Sequence, residues 1–481
     1  MSITLGTLTF DLNTVIEFFN TASTASIIWA LFSIGGYLIL MYLLLYVGIG
    51  YYQGYREDKA TANWKYVLLA VDVPPMNAQT PKAVELMFAQ LAGAFDSPDI
   101  AGKYRGGYKQ RWFSFEIISV EGYIQFLIWT EEAFRDLVEA AMYAQYPDAE
   151  VIEVEDYVTN TPDTFPHESY DMWAADFGLA EDNAYPIRNY HDFEHNISKD
   201  TILKDPMSAF LESFSRIGPG EQMWFQILIE PISNSWKEDA IKKIKEVIGE
   251  KVSAKGPNIF ATYLVDKPIA LVAELANHIM GAENSESSSG DEKSGDKNEM
   301  KYMTPGQMKV VELMEEKISK IGFKTKMRGL YLARKEVFKP ERGVNALVGA
   351  INQFNSPTAN SIVPKFGVSA SYFFSGSRSQ EKKNLLMKAY KKRKIKPGAN
   401  SCVLNIQELA TIWHFPMVHV KTPLIQKVEA KQSTPPVGLP MEHIAPAFDA
   451  IVAAPVIKSD TPKEKTTQTD AYGYDSGMKF G

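Results

Sequence analysis

The stretch WFSFEIISVEGYIQFLIW, residues 112–129, decides how the rest of the chain is read. Trp112 to Val120 and Tyr123 to Trp129 alternate apolar and polar side chains around Glu121-Gly122, the pattern of an antiparallel hairpin. Upstream, Lys65 to Val73 is an apolar, β-branched run ended by Pro74 and Pro75. Thr80-Pro81 then offers an N-cap and a first-turn proline to a helix that carries Val84, Met87, Phe88 and Leu91 on one face before Gly93. Downstream, Thr130 caps a helix whose Phe134, Leu137, Val138, Ala141 and Met142 form an inward stripe as far as Tyr146-Pro147, and Ala149 to Val154 closes as a strand. The order β-α-β-β-α-β within residues 60–160 is the split-βαβ, ferredoxin-like arrangement, with two helices on one face of an antiparallel sheet.

A weaker second copy is expected over residues 205–375, after an acidic connector at 161–204. Asp205 to Ile217 reads as a helix and Gln222 to Pro231 as a strand, and Ser235 with Glu238 forms a capping box for a helix to Ile248. Thr304, Pro305 and Gln307 open another helix, Phe323 to Ala333 is a strand and Gly343 to Phe354 a helix. Between the halves, residues 284–298 hold Ser, Gly, Glu, Asp and Lys with no large apolar residue, a flexible insertion. Residues 376–440 comprise a basic helix at 379–394 and a distal segment in which Asn405 and Glu408 box a short helix to His414. Residues 441–481 read as a largely disordered tail.

The N-terminal region has a different character. Phe18 to Tyr55 carries no Lys or Arg, and Ile27 to Ile49 has Ser33 as its one ordinary polar side chain. Twenty-three residues at helical rise reach about 35 Å, enough to span a hydrocarbon core of roughly 30 Å with some tilt. A transmembrane helix at 27–49 is expected, behind a short extracytoplasmic N-terminus at 1–26. No cation precedes Arg56, while Arg56, Lys59 and Lys65 follow, so the positive-inside rule places the bulk in the cytoplasm of a bacterial inner membrane as a single-pass protein. The expected fold class is thus α+β, one N-terminal transmembrane helix followed by tandem ferredoxin-like modules.

The net charge of −8 conceals an asymmetry: fifteen Asp or Glu stand against three cations between Asp148 and Asp205. Cys402 is the single cysteine, which excludes an intrachain disulfide framework or a cysteine-built zinc or iron–sulfur site. Two basic clusters stand out. Lys103, Arg105, Tyr108, Lys109 and Arg111 interleave cations with aromatics beside Gly106-Gly107, and Lys382, Lys383, Lys391, Lys392, Arg393 and Lys394 crowd the basic helix. Both are candidates for contact with nucleic acid or anionic headgroups, against the plainer reading of a solvated loop and a thinly docked helix. The string His191-Asp192-Phe193-Glu194-His195 matches H-x-x-E-H, whose zinc chemistry needs both histidines on one helical face. Pro186 and the polar residues after His195 leave little apolar face for such a helix, so a zinc hydrolase is a remote alternative. No phosphate-binding G-x-x-x-x-G-K-[ST] loop occurs. No catalytic residue, metal ligand or cofactor is assigned.

Glu408 to Pro416 (ELATIWHFP), Val420 to Pro423 (VKTP) and Pro435 to Pro440 (PPVGLP) resemble the stretch preceding the motor domain of bacterial type IV secretion-type conjugative DNA-transfer ATPases. Lys335 to Phe338 with Gly343 to Asn355, and Tyr143 to Asp156, resemble regions upstream of it, so the likeness spans roughly residues 60–440. Those relatives continue into a RecA-like motor with a phosphate-binding loop; this chain departs from them at Met441, so no catalytic residue carries over. The resemblance implies a non-catalytic, membrane-anchored assembly or docking subunit of a translocation machine, with a separate transfer ATPase and other secretion subunits as partners. Trp413, His414 and Phe415 are candidates for docking such a partner, although packing in the protein's own core is the favoured reading. A membrane-tethered nucleic-acid-binding protein is the alternative.

Overall fold

Nine strands join in one antiparallel sheet among the described residues. The computed structural model describes residues 37–417 apart from 75–78, 100, 196–201, 204, 250–302 and 371–373, with scattered positions before 37 that include the backbone of 2–5 and 8–11. The flexible insertion expected at 284–298 and the tail expected at 441–481 lie outside the described residues.

In chain order the elements are α1 (Tyr37–Thr61), β1 (Tyr66–Asp72), α2 (Pro81–Leu91), β2 (Phe113–Val120), β3 (Tyr123–Glu131), α3 (Arg135–Gln145) and β4 (Glu150–Glu153). There follow β5 (Tyr170–Leu179), α4 (Met207–Ser215), β6 (Glu221–Pro231), α5 (Ser235–Ile248), α6 (Pro305–Ser319), β7 (Gly322–Arg334), α7 (Pro340–Asn352) and β8 (Ile362–Gly367). The last are α8 (Ser375–Lys391), β9 (Cys402–Asn405) and α9 (Ile406–Ile412). Across the sheet the order is β8-β5-β7-β6-β2-β3-β1-β4, with β9 added to β7. The first half has the sequence strand-helix-strand-strand-helix-strand, the second adds α5 and α6 between its second and third strands, and both have the spatial order fourth, first, third, second. The halves meet strand two to strand two: β6 pairs antiparallel with β2 from Gln222↔Val120 to Ile229↔Phe113. The expected hairpin is present, β2 turning into β3 through Glu121 and Gly122, both at positive φ, as a two-residue turn compatible with strand twist requires.

One strand stands where a connector is expected. β5, YDMWAADFGL, lies inside the acidic stretch 161–204 and is the first strand of the second half, paired with β7 and β8. Asp171 and Asp176 broke its apolar pattern, and a buried partner described below explains the second of them. Residues 376–417 are likewise not an appendage. β9 extends the β7 ladder, and α9 is buried along its whole length.

Both faces of the sheet are covered, so its strands are close to continuously apolar. On one face α2, α3, α4, α7 and α9 enclose Leu69, Phe115, Ile117, Phe126, Ile227, Met327 and Phe177. On the other, Leu386, Met387 and Tyr390 of α8 pack on Leu68, Leu127, Ile118, Trp224, Leu228 and Leu330. The α5–α6 pair forms a smaller cluster through Ala240, Ile244, Val311 and Met314. Among the described residues no helix is long and apolar enough to cross a membrane. The span expected at 27–49 falls in part on residues outside the description; its described end, Tyr37 to Ile49, is the first half of α1, which then runs on through the charged residues Arg56 to Lys59.

Candidate functional site

Glu116 sits at the centre of β2, and the sheet register sets three more polar residues in line with it. Glu116 faces Gln226 of β6, Gln226 faces Arg328 of β7, and Arg328 faces Asp176 of β5. This polar row crosses the seam between the halves beneath α8, with apolar side chains on either side. All four residues are at most 2% exposed. Burying such groups is tolerable only when each is paired and hydrogen-bonded. Here they are. Arg328 Nε donates to Asp176 at 2.9 Å and Lys326 Nζ lies 2.9 Å from the same carboxylate. Burial lowers the pKa of both cations, and Asp176 opposes the shift.

Arg393, from the turn after α8, closes the other end of the row. Its guanidinium meets Glu116 through Nε at 3.0 Å and Nη2 at 3.2 Å, and Asp156 through Nη1 at 2.5 Å and Nη2 at 3.0 Å. Burial works against its charge, but Glu116 and Asp156 outweigh burial and raise its pKa well above the ordinary value. Glu116 also accepts from Ser114 at 2.6 Å, Tyr157 at 2.9 Å and Gln226 at 2.9 Å. Beyond Arg393, Gly398 approaches Asp176 so closely that a Cβ would overlap its carboxylate, and Ala399 N–H donates to Asp176 at 2.9 Å. The segment after α8 is thus hooked to both halves of the sheet.

The two basic clusters of the sequence converge at this hook. Trp112 Nε1 donates to the Arg393 carbonyl at 2.8 Å, and Lys109 feels Lys396 and Lys394 as neighbouring charges. Burial depresses the Lys109 ammonium below its ordinary value, against the pull of Glu57 and with the help of Lys396. The foot of α1 joins them. Lys396 Nζ stands 3.4 Å from Glu57, and Arg56 donates to the carbonyl of Arg105. Arg105, Lys392, Lys394 and Lys396 remain exposed, while Lys109 is half-buried with its ammonium 4.6 Å from the Trp112 ring centre. Chemically this is a collar of cations around the base of a helix whose preceding turns are apolar.

Not every candidate belongs to it. Arg393 is core, so its assignment as a surface contact is corrected: its charge is neutralised within the protein. Arg111 is paired with Glu131 at 2.6 Å and stacks 3.8 Å from the Trp64 ring centre, and Tyr108 bonds to the Asp96 carbonyl and to Gln110. Lys382 and Lys383 bind the Ser369 carbonyl and Asp171, and Lys391 binds the Thr161 carbonyl and Asp163. Of the Lys103 side chain the structure gives no description. Sequence reasoning missed Glu116, Gln226, Arg328, Asp176 and Gly398. A charged residue within an otherwise apolar strand, as in FSFEIISV, was the available signal.

Trp413, His414 and Phe415 are not a docking surface. They are at most 2% exposed, and Trp413 packs edge-on against Phe115 at 4.8 Å and Phe415 at 5.0 Å between ring centres. His414 Nδ1 meets the Ala410 carbonyl at 2.8 Å and Nε2 meets Asp205 at 2.9 Å, so both ring nitrogens have partners within the core. His191 to His195 do not form a helix: Tyr190–Phe193 is a 3₁₀ turn followed by a two-residue strand, so the H-x-x-E-H geometry is not met. Among the described residues no group of three or more His, Cys, Asp or Glu is arranged to hold a metal.

No curated protein matches the chain. A family model described as Domain of unknown function (DUF8128) matches residues 108–428, from the basic turn before β2 to beyond α9. That is well over half of the chain, and the protein belongs to the DUF8128 family.

Proposed function

We propose that the protein is a non-catalytic, membrane-anchored assembly subunit of a type IV secretion-like or conjugation-like translocation machine, built as two ferredoxin-like modules fused edge to edge. Its apolar N-terminal run spans a bacterial inner membrane with the bulk in the cytoplasm, and a separate transfer ATPase and other secretion subunits are its partners. The observation that carries the anchoring part is α1. Its first half projects Leu44 and Val47 at 65% exposure, with Leu40, Met41, Leu45 and Ile49 also exposed, an apolar surface that water does not favour and lipid does. The second half of the same helix is fastened to the body through Glu57 and Arg56. Tyr51, Tyr52 and Tyr55 lie between the two, as aromatic residues do at a membrane interface. The assembly part rests on the resemblance to the transfer ATPases and on the two-module order of the sheet.

Full-length protein carrying a tag after Gly481 tests both. The tag should be protected from protease in intact spheroplasts, and mild cross-linking should recover a transfer ATPase or another secretion subunit. Digestion of the tag in intact spheroplasts reverses the topology. Recovery of no secretion component, together with salt-sensitive DNA binding, replaces the assembly reading with a membrane-tethered nucleic-acid-binding protein.

A further inference from the structure

We propose that the collar at the foot of α1, formed by Arg105, Lys109, Lys394 and Lys396, binds anionic lipid headgroups and so selects the membrane surface on which the protein sits. This deepens the anchoring reading and rests on it.

Three observations converge. First, the cations come from two segments about 285 positions apart and are drawn together by the Trp112-to-Arg393 bond, so the cluster is a product of the fold and not a local charge run. Second, Lys396 meets Glu57, Arg56 bonds the Arg105 carbonyl and Lys109 feels Glu57 and Asp58, which sets the cluster beside Arg56 to Asp58, only one to two helical turns beyond Tyr51 and Tyr52. A turn advances about 5.4 Å, so the lysines fall within a Debye length, roughly 8–10 Å, of the interface those tyrosines mark. Third, the collar is unbalanced. Glu57 and Asp58 are the anions that act on Lys109, but they stand beside four cations, Arg105, Lys109, Lys394 and Lys396, and the Arg105, Lys394 and Lys396 side chains stay exposed. A phosphate-bearing surface supplies counter-charge to the exposed members. Nucleic acid offers the same phosphates, but the adjoining exposed side chains Leu44, Leu45, Val47 and Ile49 match acyl chains and not bases.

Each cation held at an anionic surface strengthens association about fivefold. The test uses the full chain in nanodiscs of phosphatidylcholine alone or of phosphatidylcholine mixed with phosphatidylglycerol. Amine acylation is read residue by residue by mass spectrometry, with Lys242 on α5 as the reference. Acylation of Lys394 and Lys396 should fall severalfold in the phosphatidylglycerol discs while Lys242 is unchanged. The triple variant Lys109→Gln, Lys394→Gln, Lys396→Gln should lose the enrichment of phosphatidylglycerol among lipids that co-purify with the wild type. Equal acylation in both discs overturns the proposal while leaving the anchor intact. Protection by single-stranded DNA in place of phosphatidylglycerol overturns it in favour of nucleic acid. Failure to enter either disc removes the anchor itself and the collar's role with it.

Discussion

Replacing Arg393 by Met probes how far charge fastens the segment after α8 to the first half of the sheet. The substitution keeps much of the side-chain length but removes the guanidinium from between Glu116 and Asp156. Glu116 is fully buried and would keep its three neutral donors, Ser114, Tyr157 and Gln226, while losing its only close cation among the described residues. Uncovering one partner of a buried pair in this way costs about 3–5 kcal/mol. Asp156, 31% exposed, can turn to water and adds little. Arg393→Lys should recover only part of the loss, because an ammonium cannot fork to two carboxylates at once. The informative comparison is the double variant Glu116→Gln with Arg393→Met. The amide at residue 116 can accept from Ser114 and Gln226 and donate to Tyr157, which in turn can donate to Tyr390 at 2.9 Å. The double variant should therefore regain at least about 2 kcal/mol over Arg393→Met. Equilibrium denaturant unfolding of the full chain in detergent, followed by tryptophan fluorescence, gives these differences. A loss below about 1 kcal/mol for Arg393→Met, or a double variant no better than the sum of its parts, would refute the reasoning.

Three further expectations follow from other residues. Gly398→Ala forces a side chain into positive φ and onto the Asp176 carboxylate and should destabilise by about 2–4 kcal/mol in the same assay, whereas Gly376→Ala, with open space around it, should be neutral within about 0.5 kcal/mol. Burial pushes the Cys402 thiol up to about 12, so native protein should resist iodoacetamide at mildly alkaline pH and react once unfolded; stoichiometric labelling of the native state would contradict the structure. Burial pushes the Asp205 carboxyl upward, but His414 and the N–H groups of Met417 and Met207 outweigh it and hold the pKa below the ordinary 3.8. The stability this contributes is present above the ordinary carboxylate pKa and disappears as pH falls through the folded value. Asp205→Asn should therefore lower stability at neutral pH and flatten the acid limb below about pH 4, and an unchanged acid limb would count against the pairing.

What could be read from the sequence was local. The β2–β3 hairpin and its flanking helices rest on alternation and a turn dipeptide, which act within a few residues, and they appear near the expected positions, whereas two expected caps do not form: Thr130 ends inside β3 with Phe134 at the start of α3, and α5 starts from Asn234 without the Ser235–Glu238 box. The second half was harder because its first strand carries Asp176, and an aspartate inside a strand looks like a solvated face. It is solvated by Arg328 and Lys326 instead, some 150 positions away. Glu116 misled in the same manner. Period-two alternation implies one wet face, but α8 arrives from far along the chain to cover that face, turning each polar position into a buried one that must find a partner. The run from Lys382 to Lys396 contains one arginine, and that arginine is the buried one. A compact ammonium serves at a surface, whereas two carboxylates held at fixed angles call for a planar fork. The chemical difference between Arg393 and its lysine neighbours was therefore the sequence-level mark of where the basic cluster stops being surface and becomes the tie that fastens the segment after α8 to the first half of the sheet.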